Sequence, residues 1–373
     1  MTGLGSMKIV LFANTDWYLF NYRLPLASAL RDQGHEVTLL SPPGRYAARL
    51  EKEGFRCISF PFERKGTNPF SEMAVLARLA RILRREKPDL LHNFTIKPMI
   101  YGSLAARCAG IRRVVNAVEG LGFVFSGGHR ALRAVVKILY RVGLRGTTVV
   151  FHNIDDREVF LTYHLIDAAG AELIPSVGVD MNVFRATPEP EGDPVVMLAG
   201  RMLRSKGVPE FVEAAKRLRR AGVRARFVLV GEPYPDNPDT VTTEEISGWE
   251  KAGWIEYWGW HDDMVEVYPK TAVICLPTSY NEGLPLSLVE ASACARPVVA
   301  TTIPGCRAVV RNGENGFLIE PHDVHGLVNA LRTLLDDPAL RRTMGLRGRE
   351  IVGQEFSAES VIARTLRLYA KNR

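Results

Sequence analysis

Two glutamates eight residues apart form the clearest chemical pattern in this sequence. Glu282 and Glu290 lie in the segment Tyr280-Asn-Glu-Gly-Leu-Pro-Leu-Ser-Leu-Val-Glu-Ala, shortly after an apolar run that ends at Leu276. Eight helical residues that rise about 1.5 Å each would place the two carboxylates about 12 Å apart. A nucleotide ribose and the sugar beyond its diphosphate are separated by a similar distance, and carboxylates accept hydrogen bonds from hydroxyls. The pair therefore suits a sugar nucleotide, with a capping residue plus a solvated helical face as the alternative.

The residues between the two glutamates fit the same hypothesis. Gly283 permits a tight turn, and Pro285 suits the first turn of a helix that continues past Glu290. The N-terminus of such a helix attracts phosphate oxygens, because its first amide groups have no partners within the helix. We therefore predict that a diphosphate binds between Glu282 and Glu290.

A second pattern places two cations between a strand and a helix. It reads Ala199-Gly-Arg-Met-Leu-Arg-Ser-Lys-Gly207, with Arg201 at a predicted strand end and Lys206 in the turn that leads into a helix. Two cations at these positions can neutralise a leaving nucleoside diphosphate without a metal. The alternative is that both are ordinary surface residues.

No metal site is expected from the acidic residues and cysteines. Asp262 and Asp263 are adjacent, unlike the spaced carboxylates of a DxD motif, and the five cysteines form no CxxC pair and no zinc spacing with histidine. Scattered cysteines also indicate a reducing compartment. We therefore expect a metal-independent, cytoplasmic protein without other cofactors.

The elements that must position these residues alternate between strands and helices. The first half has apolar runs, predicted as strands, with helical patterns between them near residues 24–33, 71–86 and 98–109; the strands are at 8–13, 36–40, 90–92 and 113–117. The second half repeats the scheme with a helix at 209–221 and strands at 195–199, 225–230 and 273–276. Such alternation predicts parallel sheets covered by helices. The fold class is therefore α/β, with Rossmann-like domains.

The length of 373 residues exceeds one ordinary core, so we predict two domains. Residues 180–194, with three prolines and several acidic residues, form the composition break suited to a linker. We assign residues 7–180 to an N-terminal domain, 181–356 to a C-terminal domain and 357–373 to a last helix. Ligands of such domains bind at the carboxyl ends of the strands, although neither GxGxxG nor a P-loop motif is present.

Positive charge is concentrated in the first half. Residues 1–180 hold 24 lysines and arginines against 16 aspartates and glutamates, whereas residues 181–373 hold 24 against 25. This imbalance suggests an anionic partner, either nucleic acid or an anionic membrane face. No apolar run reaches the roughly 18–20 residues of a membrane span. We interpret residues 1–6 as a cloning remnant and not as a signal peptide.

Three motifs of the second half resemble the retaining GT-B glycosyltransferases of family 4 in order and spacing. They are Ile174-Pro-Ser-Val-Gly-Val-Asp180, the Arg201–Lys206 segment and the Glu282-x7-Glu290 pair. The resemblance implies two facing Rossmann-like domains with a cleft between them. It implies that Glu282 holds the donor hexose, that Glu290 holds the ribose, and that Arg201 and Lys206 bind the diphosphate.

The same resemblance implies further contacts with the donor. They are expected from four residues of the second half: Gly231, Gly283, Leu284 and Trp258, the last in the loop that the family uses around uracil. The loop after the first strand, residues 14–18, lacks the Gly-Gly pair that family members place against the donor phosphates. This departure favours a role in acceptor binding for that loop.

The first half resembles a narrower group, the bacterial enzymes of the PglA type and related O-antigen transferases that add an N-acetylhexosamine to polyprenyl-diphosphate-linked sugars. The segments that carry this resemblance are Phe20-Asn-Tyr-Arg-Leu-Pro25, His92-Asn-Phe-Thr-Ile-Lys-Pro98, Tyr101-Gly102 and Val118-Glu-Gly-Leu-Gly122. They imply acceptor contacts from Arg23, Thr95, Lys97, Glu119 and Gly122. His92 is a candidate catalytic residue that faces the donor sugar, with a hydrogen-bonded structural histidine as the alternative.

Basic residues recur at helical spacing after Gly127-Gly128. Residues 129–146 are predicted as a helix with one basic stripe, which consists of Arg130, Arg133, Lys137, Arg141 and Arg145. The predicted helix at 71–86 carries a second stripe of four arginines. Basic stripes can dock reversibly on an anionic bilayer, with a solvated face of an ordinary amphipathic helix as the alternative. We therefore expect a peripheral protein at the inner face of the cell membrane.

These observations favour a retaining transferase that moves a sugar, which we expect to be an N-acetylhexosamine, from UDP to a lipid-diphosphate-linked saccharide. Its partners would be the UDP-sugar, the lipid-linked acceptor and an anionic membrane surface. Two alternatives stay open: a soluble family member with a small-molecule acceptor, and a non-catalytic sugar-nucleotide sensor. Charge alone would allow a nucleic-acid protein, but no motif that reads DNA or RNA accompanies the arginines, so no nucleic acid is expected.

Overall fold

A computed structural model describes residues 5–63, 68–121, 130–175 and 177–371, with the backbone alone for residues 69 and 130–133. The chain divides into two compact units. The first comprises Met1–Val177 together with Val361–Arg373, and the second comprises Gly178–Ser360. Each unit contains one parallel sheet covered by helices.

The first unit has a seven-stranded sheet in the order β3-β2-β1-β4-β5-β6-β7. All neighbouring strands are parallel; they are β1 (Lys8–Phe12), β2 (Glu36–Ser41), β3 (Arg56–Ser59), β4 (Leu90–Phe94), β5 (Val114–Val118), β6 (Thr148–Phe151) and β7 (Ala171–Leu173). The helices of this part are α1 (Asp16–Tyr18), α2 (Leu24–Asp32), α3 (Ala47–Lys52), α4 (Pro69–Glu86), α5 (Ile96–Ala109), α6 (Arg130–Gly143) and α7 (Ile154–Thr162).

The second unit has a six-stranded parallel sheet in the order β10-β9-β8-β11-β12-β13. Its strands are β8 (Val195–Ala199), β9 (Arg226–Val230), β10 (Glu256–Gly259), β11 (Val273–Leu276), β12 (Val298–Thr301) and β13 (Gly316–Ile319). Its helices are α8 (Val208–Arg220), α9 (Thr243–Lys251), α10 (Leu286–Ala293), α11 (Pro304–Val309), α12 (Val324–Asp336) and α13 (Pro338–Glu355). The last helix, α14 (Ala358–Lys371), begins in this unit and ends in the first.

Residues of the inner strands of both sheets are buried on two faces, which is why their sequences are apolar without alternation. In β1, Ile9 and Leu11 pack against α2 and α14, whereas Val10 and Phe12 pack against α4 and α5. The central strand β8 is buried along its whole length in the same way. The predicted α/β class with two parallel-sheet domains is confirmed.

The predicted linker differs from the observed structure, because residues 181–189 are held against the second unit. Three arginines donate hydrogen bonds to it: Arg296 to the Thr187 carbonyl at 2.8 Å, Arg349 to the Phe184 carbonyl at 2.8 Å, and Arg341 to both carboxylate oxygens of Glu189. The boundary therefore falls at residues 177 and 178 instead of 180. Residues 361–371 of the last helix belong to the first unit instead of forming a separate element.

One helix of the first unit contains a feature that the sequence did not predict. A π-helical turn, Leu19–Arg23, joins α1 to α2 and places an extra residue in that turn. It begins one turn after the Asn14–Asp16 loop, at the carboxyl edge of the first sheet. Arg23, the last residue of this turn, is buried.

Candidate active site

Glu282 lies in the loop between β11 and α10, at the carboxyl edge of the second sheet. Its Oε1 atom accepts a short hydrogen bond from Nζ of Lys206 and one from Oγ1 of Thr278 at 3.3 Å. Both members of the ion pair are nearly buried. Among the described residues, the other carboxylate oxygen of Glu282 has no partner. The structure thus brings two predicted site residues into direct contact and leaves one carboxylate oxygen available.

Backbone contacts fix the turn that carries Lys206. The carbonyl of Ser205 accepts hydrogen bonds from the Ser279 amide at 2.8 Å and from Thr278 Oγ1 at 3.0 Å. Gly207 follows with φ +80°, and a Cβ atom there would lie 2.1 Å from the Pro277 carbonyl oxygen. The Ser-Lys-Gly turn and the loop after β11 are therefore joined so closely that only glycine fits at position 207.

Asp239 holds the other side of this turn and was missed by the sequence reasoning. Its Oδ2 atom accepts hydrogen bonds from the backbone amide of Ser205 at 3.1 Å and from the Ser205 hydroxyl. The neighbouring Arg204 forms an ion pair with Glu245. Asp239 lies 34 residues from Ser205 in the chain, and no motif of the sequence links the two.

Arg201 is the predicted cation that stays unpaired. It is exposed after β8, and its guanidinium lies 5.9 Å from the centre of the Tyr280 ring. Lys206 Nζ lies 5.4 Å from the centre of the same ring. Among the described residues, no carboxylate forms an ion pair with Arg201. Because Lys206 is neutralised by Glu282, Arg201 carries the uncompensated positive charge of this group.

Gly231 directly follows β9, and Trp258 lies on the neighbouring strand β10. Gly231 has φ +134°, and a Cβ atom there would lie 1.9 Å from the Gly200 carbonyl oxygen, so the position requires glycine. Trp258 lies within β10 and not in the loop that follows, and its indole donates to Glu256 at 3.2 Å, at the beginning of the strand. The exposed indole just beyond the carboxyl end belongs to Trp260, which donates to Asp262 at 3.1 Å.

Helix α10 begins one residue later than predicted, with Pro285 as its N-cap in an extended conformation. Glu282 therefore precedes the helix by four residues, and the separation calculated for eight helical residues does not apply. Within the described part of the chain, no side chain caps this N-terminus, so its first amide groups are left for another acceptor. A Cβ atom on Gly305 would lie 2.8 Å from the Gly283 carbonyl, so α11 fixes that backbone, and Leu284 is buried beside it.

Glu290 lies inside α10 and accepts a hydrogen bond from the Tyr268 hydroxyl at 2.8 Å. Burial raises the pKa of Glu290 to about 7, although the Tyr268 hydrogen bond favours the ionised form. The two glutamates of the motif thus have different environments. Glu282 is paired with a cation, whereas Glu290 has no cationic partner in the described ranges of the chain.

The acidic pair Asp262-Asp263 has local structural partners. Asp262 accepts the Trp260 indole hydrogen bond, and Asp263 caps a short 3₁₀ helix by accepting from the Val265 amide at 2.9 Å. Among the described residues, no three histidine, cysteine, aspartate or glutamate side chains are grouped as metal ligands. Metal independence stays a prediction.

In the first unit, Glu119 forms the centre of a polar cluster at the end of β5. Its Oε1 atom accepts hydrogen bonds from the Arg23 guanidinium at 2.6 Å and the Tyr18 hydroxyl at 2.5 Å, and His152 Nε2 lies 3.3 Å away. Burial opposes ionisation of Glu119, but the Arg23 and His152 charges lower its pKa to about 2. Its second carboxylate oxygen has no partner within the described part of the chain.

Arg23 was predicted to contact the acceptor, but the structure places it beneath Glu119. Its side chain is 6% exposed, and its guanidinium stacks 4.3 Å from the centre of the Phe94 ring. It also donates to the Tyr18 hydroxyl at 3.0 Å. Through Nε and Nη2, Arg23 positions Glu119 and Tyr18, and its contact with the acceptor stays a prediction.

His92 was predicted to close a strand and face the donor, yet β4 continues to Phe94 and His92 lies inside the sheet. Its ring is buried, stacks 4.1 Å from Phe94 and shares a hydrogen bond of 2.5 Å with the Tyr369 hydroxyl of α14. Burial and the Arg23 charge lower its pKa well below the ordinary value. This geometry supports the alternative of a structural histidine, which ties the last helix to the first sheet.

Thr95 follows β4 at the carboxyl edge and has a strained backbone, with φ +72° and ψ 162°. A threonine in this region costs about 1–3 kcal/mol and persists where the surroundings impose it. Its hydroxyl is buried and has no hydrogen-bond partner among the residues that the structure describes, although it occupies the N-cap position of α5. Strain and an unsatisfied hydroxyl together mark Thr95 as a candidate for ligand contact.

The remaining predicted residues of this unit have other environments. Lys97 forms an ion pair with Glu72 at 2.9 Å, and Glu72 also accepts from Tyr101, so Lys97 joins α5 to α4. Lys137 stacks 3.1 Å from the centre of the Tyr163 ring, and Arg141 donates to the Tyr163 carbonyl at 2.9 Å. Gly122 and the side chains of Arg130 and Arg133 lie outside the described residues.

Comparison with known proteins places this geometry in a family. Residues 193–337 match the family described as glycosyl transferases group 1, and residues 8–153 match the glycosyl transferase 4-like family. The lipopolysaccharide core biosynthesis glycosyltransferase LpsE of Rhizobium meliloti is 30% identical over 92% of this chain and 93% of its own length.

The chain belongs to the group 1 glycosyltransferases. A second relative of this transferase, from Campylobacter jejuni, is 28% identical over 97% of this chain and 98% of its own length. It is an N,N'-diacetylbacillosaminyl-diphospho-undecaprenol alpha-1,3-N-acetylgalactosaminyltransferase. The crystal structure of Anabaena HepE in complex with UDP shares the fold of the transferase, with a TM-score of 0.81 and 18% identity over 98% of this chain and all of that one.

These findings confirm the GT-B fold class and the family that the motifs indicated. They also confirm that the chain is an enzyme of the glycosyltransferase type. None of the helices in the described residues is long and apolar enough to cross a membrane.

Proposed function

We propose that this transferase moves an N-acetylhexosamine from its UDP conjugate to a polyprenyl-diphosphate-linked saccharide, with retention of the anomeric configuration. The observation that carries the proposal is the Lys206–Glu282 ion pair, which stands beside the unpaired Arg201 and the uncapped N-terminus of α10. These groups supply positive potential for a diphosphate and a carboxylate oxygen for sugar hydroxyls at one sheet edge.

The donor is assigned to the second unit by charge. Arg201 and the first amides of α10 bind the diphosphate, and Glu282 accepts a hydrogen bond from the hexose through its available oxygen. Glu290 accepts from the ribose hydroxyls. The exposed Trp260 replaces Trp258 as the aromatic residue that contacts the base, because it lies at the carboxyl end of β10.

The acceptor is assigned to the first unit, where the polar groups at the sheet edge suit hydroxyls instead of phosphates. Glu119 offers one unoccupied carboxylate oxygen, and Thr95 offers an unsatisfied hydroxyl. The Campylobacter relative transfers N-acetylgalactosamine to a diphospho-undecaprenol-linked sugar, as its name states. That relationship supports a lipid-linked saccharide as the acceptor class for this transferase.

Retention without an enzyme nucleophile requires attack from the face that the leaving group occupies. The bond between the anomeric carbon and the diphosphate oxygen breaks while the acceptor oxygen bonds to the same face of that carbon. The acceptor hydroxyl proton passes to the departing phosphate oxygen. Arg201 and Lys206 stabilise the charge that develops on UDP, so catalysis is electrostatic and needs no metal.

UDP release tests the proposal. The transferase is mixed with UDP-N-acetylhexosamines and either lipid-linked saccharides from bacterial membranes or soluble sugars, and free UDP is measured with and without a chelator. We expect release that requires both a donor and a lipid-linked acceptor and that EDTA does not change. Equal release with soluble sugars would favour a small-molecule acceptor, and no release with any pair would contradict the proposed donor and acceptor classes. A strict magnesium or manganese requirement would contradict the metal-free mechanism.

A further inference from the structure

The ring of Tyr280 lies beside both cations at the carboxyl edge of the second sheet. The Arg201 guanidinium is 5.9 Å from the centre of this ring, and Lys206 Nζ is 5.4 Å from it. A cation within about 6 Å of the centre of an aromatic ring is attracted by the negative charge on the ring face. One aromatic side chain therefore interacts with both residues that the sequence predicts to bind a diphosphate.

The backbone of Tyr280 fixes the position of this ring. Its amide group donates hydrogen bonds to the Ser205 carbonyl at 3.1 Å and to Thr278 Oγ1 at 3.0 Å, and its carbonyl accepts one from the Glu282 amide at 2.8 Å. Tyr280 is thus joined both to the turn that carries Lys206 and to the glutamate that pairs with Lys206. Its side chain is half-buried, so the ring has a defined place beside the two cations.

The two cations depend on this ring to different extents. Lys206 is already held by its short hydrogen bond to Glu282, and both members of that pair are nearly buried. Arg201 is exposed, and its guanidinium has no ion pair among the residues that the structure describes. A free arginine side chain loses rotamer freedom when a ligand orders it. The Tyr280 ring reduces this entropic cost, because it confines the guanidinium before the ligand binds.

We propose that Tyr280 is a positioning residue that holds the Arg201 guanidinium where the diphosphate of the donor binds. The attraction comes from the face of the ring, so the Tyr280 hydroxyl is not required. The inference rests on the proposed function, since the diphosphate is assigned there to Arg201. Negative charge on the diphosphate increases as the sugar departs, so loss of the ring should lower turnover as well as affinity.

Direct stacking of the Tyr280 ring on the ligand is the alternative, because aromatic rings also pack on nucleobases. The two roles differ in what they depend on. A positioning ring acts through Arg201 and has no effect when that arginine is absent. A stacking ring acts on the ligand whether or not Arg201 is present, and it would also bind uridine. The positioning role is favoured because both cations lie at interaction distance from the ring.

A double-mutant cycle, measured by calorimetric titration with UDP, tests the proposal. The variants are Tyr280→Leu, Arg201→Ala and their combination, with Tyr280→Phe as the conservative variant. We expect Tyr280→Leu to bind UDP about fivefold more weakly and Tyr280→Phe to recover the wild-type affinity. In the Arg201→Ala background, Tyr280→Leu should weaken UDP binding by less than about twofold, because the ring has lost its main partner.

Tyr163→Leu is the matched control, because it also removes a ring beside a cation. Lys137 Nζ lies 3.1 Å from the centre of the Tyr163 ring, and both residues belong to the first unit. This variant should bind UDP like the wild type. Thermal denaturation shows whether each variant is folded, and Tyr280→Gln takes the place of Tyr280→Leu if leucine is not tolerated.

Turnover and uridine binding complete the test. At saturating donor, Tyr280→Leu should turn over about threefold more slowly, because Arg201 stabilises the departing UDP less well. Its affinity for uridine, measured by displacement of UDP, should equal that of the wild type.

Three results would overturn the inference. Equal losses of UDP affinity with and without Arg201, or a loss of uridine affinity, would show that the ring contacts the ligand directly. Wild-type UDP affinity in Tyr280→Leu would remove Tyr280 from the site and leave the proposed function intact. If the wild type itself does not bind UDP, the proposed donor class is wrong, and the inference fails with it.

Discussion

The carboxyl edges of the two sheets use a glutamate in opposite ways. In the first unit, one oxygen of Glu119 accepts hydrogen bonds from Arg23 and Tyr18, with His152 Nε2 at 3.3 Å, so the buried Arg23 charge is paired. In the second unit, one oxygen of Glu282 takes Lys206 and Thr278, and Arg201 remains unpaired. The first edge therefore suits neutral hydroxyl groups, and the second suits an anion. In our proposal, this difference assigns the diphosphate of the donor to the second edge and the hydroxyl group of the acceptor to the first.

The largest expected effect is on folding and concerns Glu119. Glu119→Ala should lower the free energy of unfolding by about 3 kcal/mol, because it leaves the buried Arg23 charge without its partner. Urea denaturation measures this loss, with Glu158→Ala, which removes an exposed ion pair, as the control. The double variant Arg23→Met/Glu119→Leu should recover much of the stability. Equal stability of the two alanine variants would show that the first edge is not held by a buried ion pair.

Glu282→Ala should act on catalysis and not on folding. We expect kcat to fall about a hundredfold with a smaller effect on donor binding, because a charge-assisted hydrogen bond of about 1.5–3 kcal/mol is lost at the transferred sugar. Steady-state UDP release gives kcat, and calorimetry gives UDP affinity. The control Glu282→Gln keeps the shape and removes the charge. Wild-type turnover in Glu282→Ala would remove Glu282 from the reaction.

Arg201→Ala tests the spare cation of the second edge. UDP should bind about 10–30-fold more weakly, since a charged hydrogen bond of about 1.5–2 kcal/mol is removed. The matched control is Arg204→Ala, which lies three residues away and is paired with Glu245 instead of being free. Calorimetric titration with UDP compares the two variants. Similar losses in both would mean that general positive charge, and not Arg201, attracts the diphosphate.

The smallest expected effect is the pH dependence of Glu290. Its pKa is raised from 4.5 to about 7, so the folded state holds a proton that the unfolded state releases, and stability falls as pH rises between these values. Glu290→Gln should match the wild type near pH 4 and be more stable by about 1 kcal/mol at pH 8. Thermal denaturation at both pH values measures the difference. A variant that is less stable at pH 8 would contradict the burial of this carboxyl.

The pKa of Glu119 is shifted in the opposite direction to that of Glu290, so Glu119 serves as the internal comparison for that experiment. Its lowered pKa, about 2, means that its stabilising contribution is complete above pH 4.5 and is lost as the pH falls toward 2. The stability advantage of the wild type over Glu119→Gln should therefore shrink as the pH falls from 4.5 toward 2. The stability advantage of Glu290→Gln over the wild type should shrink as the pH falls from 7 toward 4.5.

Local patterns explain why much of the second site could be predicted from the sequence. The partners Lys206 and Glu282 each belong to a short motif at a strand end, and parallel strands bring their carboxyl ends to one edge. The start of α10 was misplaced because proline is accepted both at the N-cap and in the first turn. Six strands were not assigned, including the short edge strands β3, β7 and β10, whose sequences carry weak patterns.

The first site could be predicted less well because its contacts are long-range. Arg23 and Glu119 are 96 residues apart, and the π-helical turn that aims Arg23 at Glu119 has no sequence pattern of its own. The basic residues of α6 were recognised, but periodicity does not show which face of a helix is packed. In the structure, Tyr140 faces the core, whereas Val135 and Ile138 are exposed to solvent.

The three arginines that hold residues 181–189 also determine where this chain can be recombined with its relatives. A fragment of the second unit that begins at Pro194 would leave Arg296 and Arg341 buried without the carbonyl and carboxylate oxygens that they bind. Such a fragment would be destabilised by the loss of these hydrogen-bond acceptors, although none of its catalytic residues is changed. Chimeric transferases built to exchange sugar specificity therefore need crossovers at residues 177/178 and 360/361, so that the segment and its three arginines are inherited together.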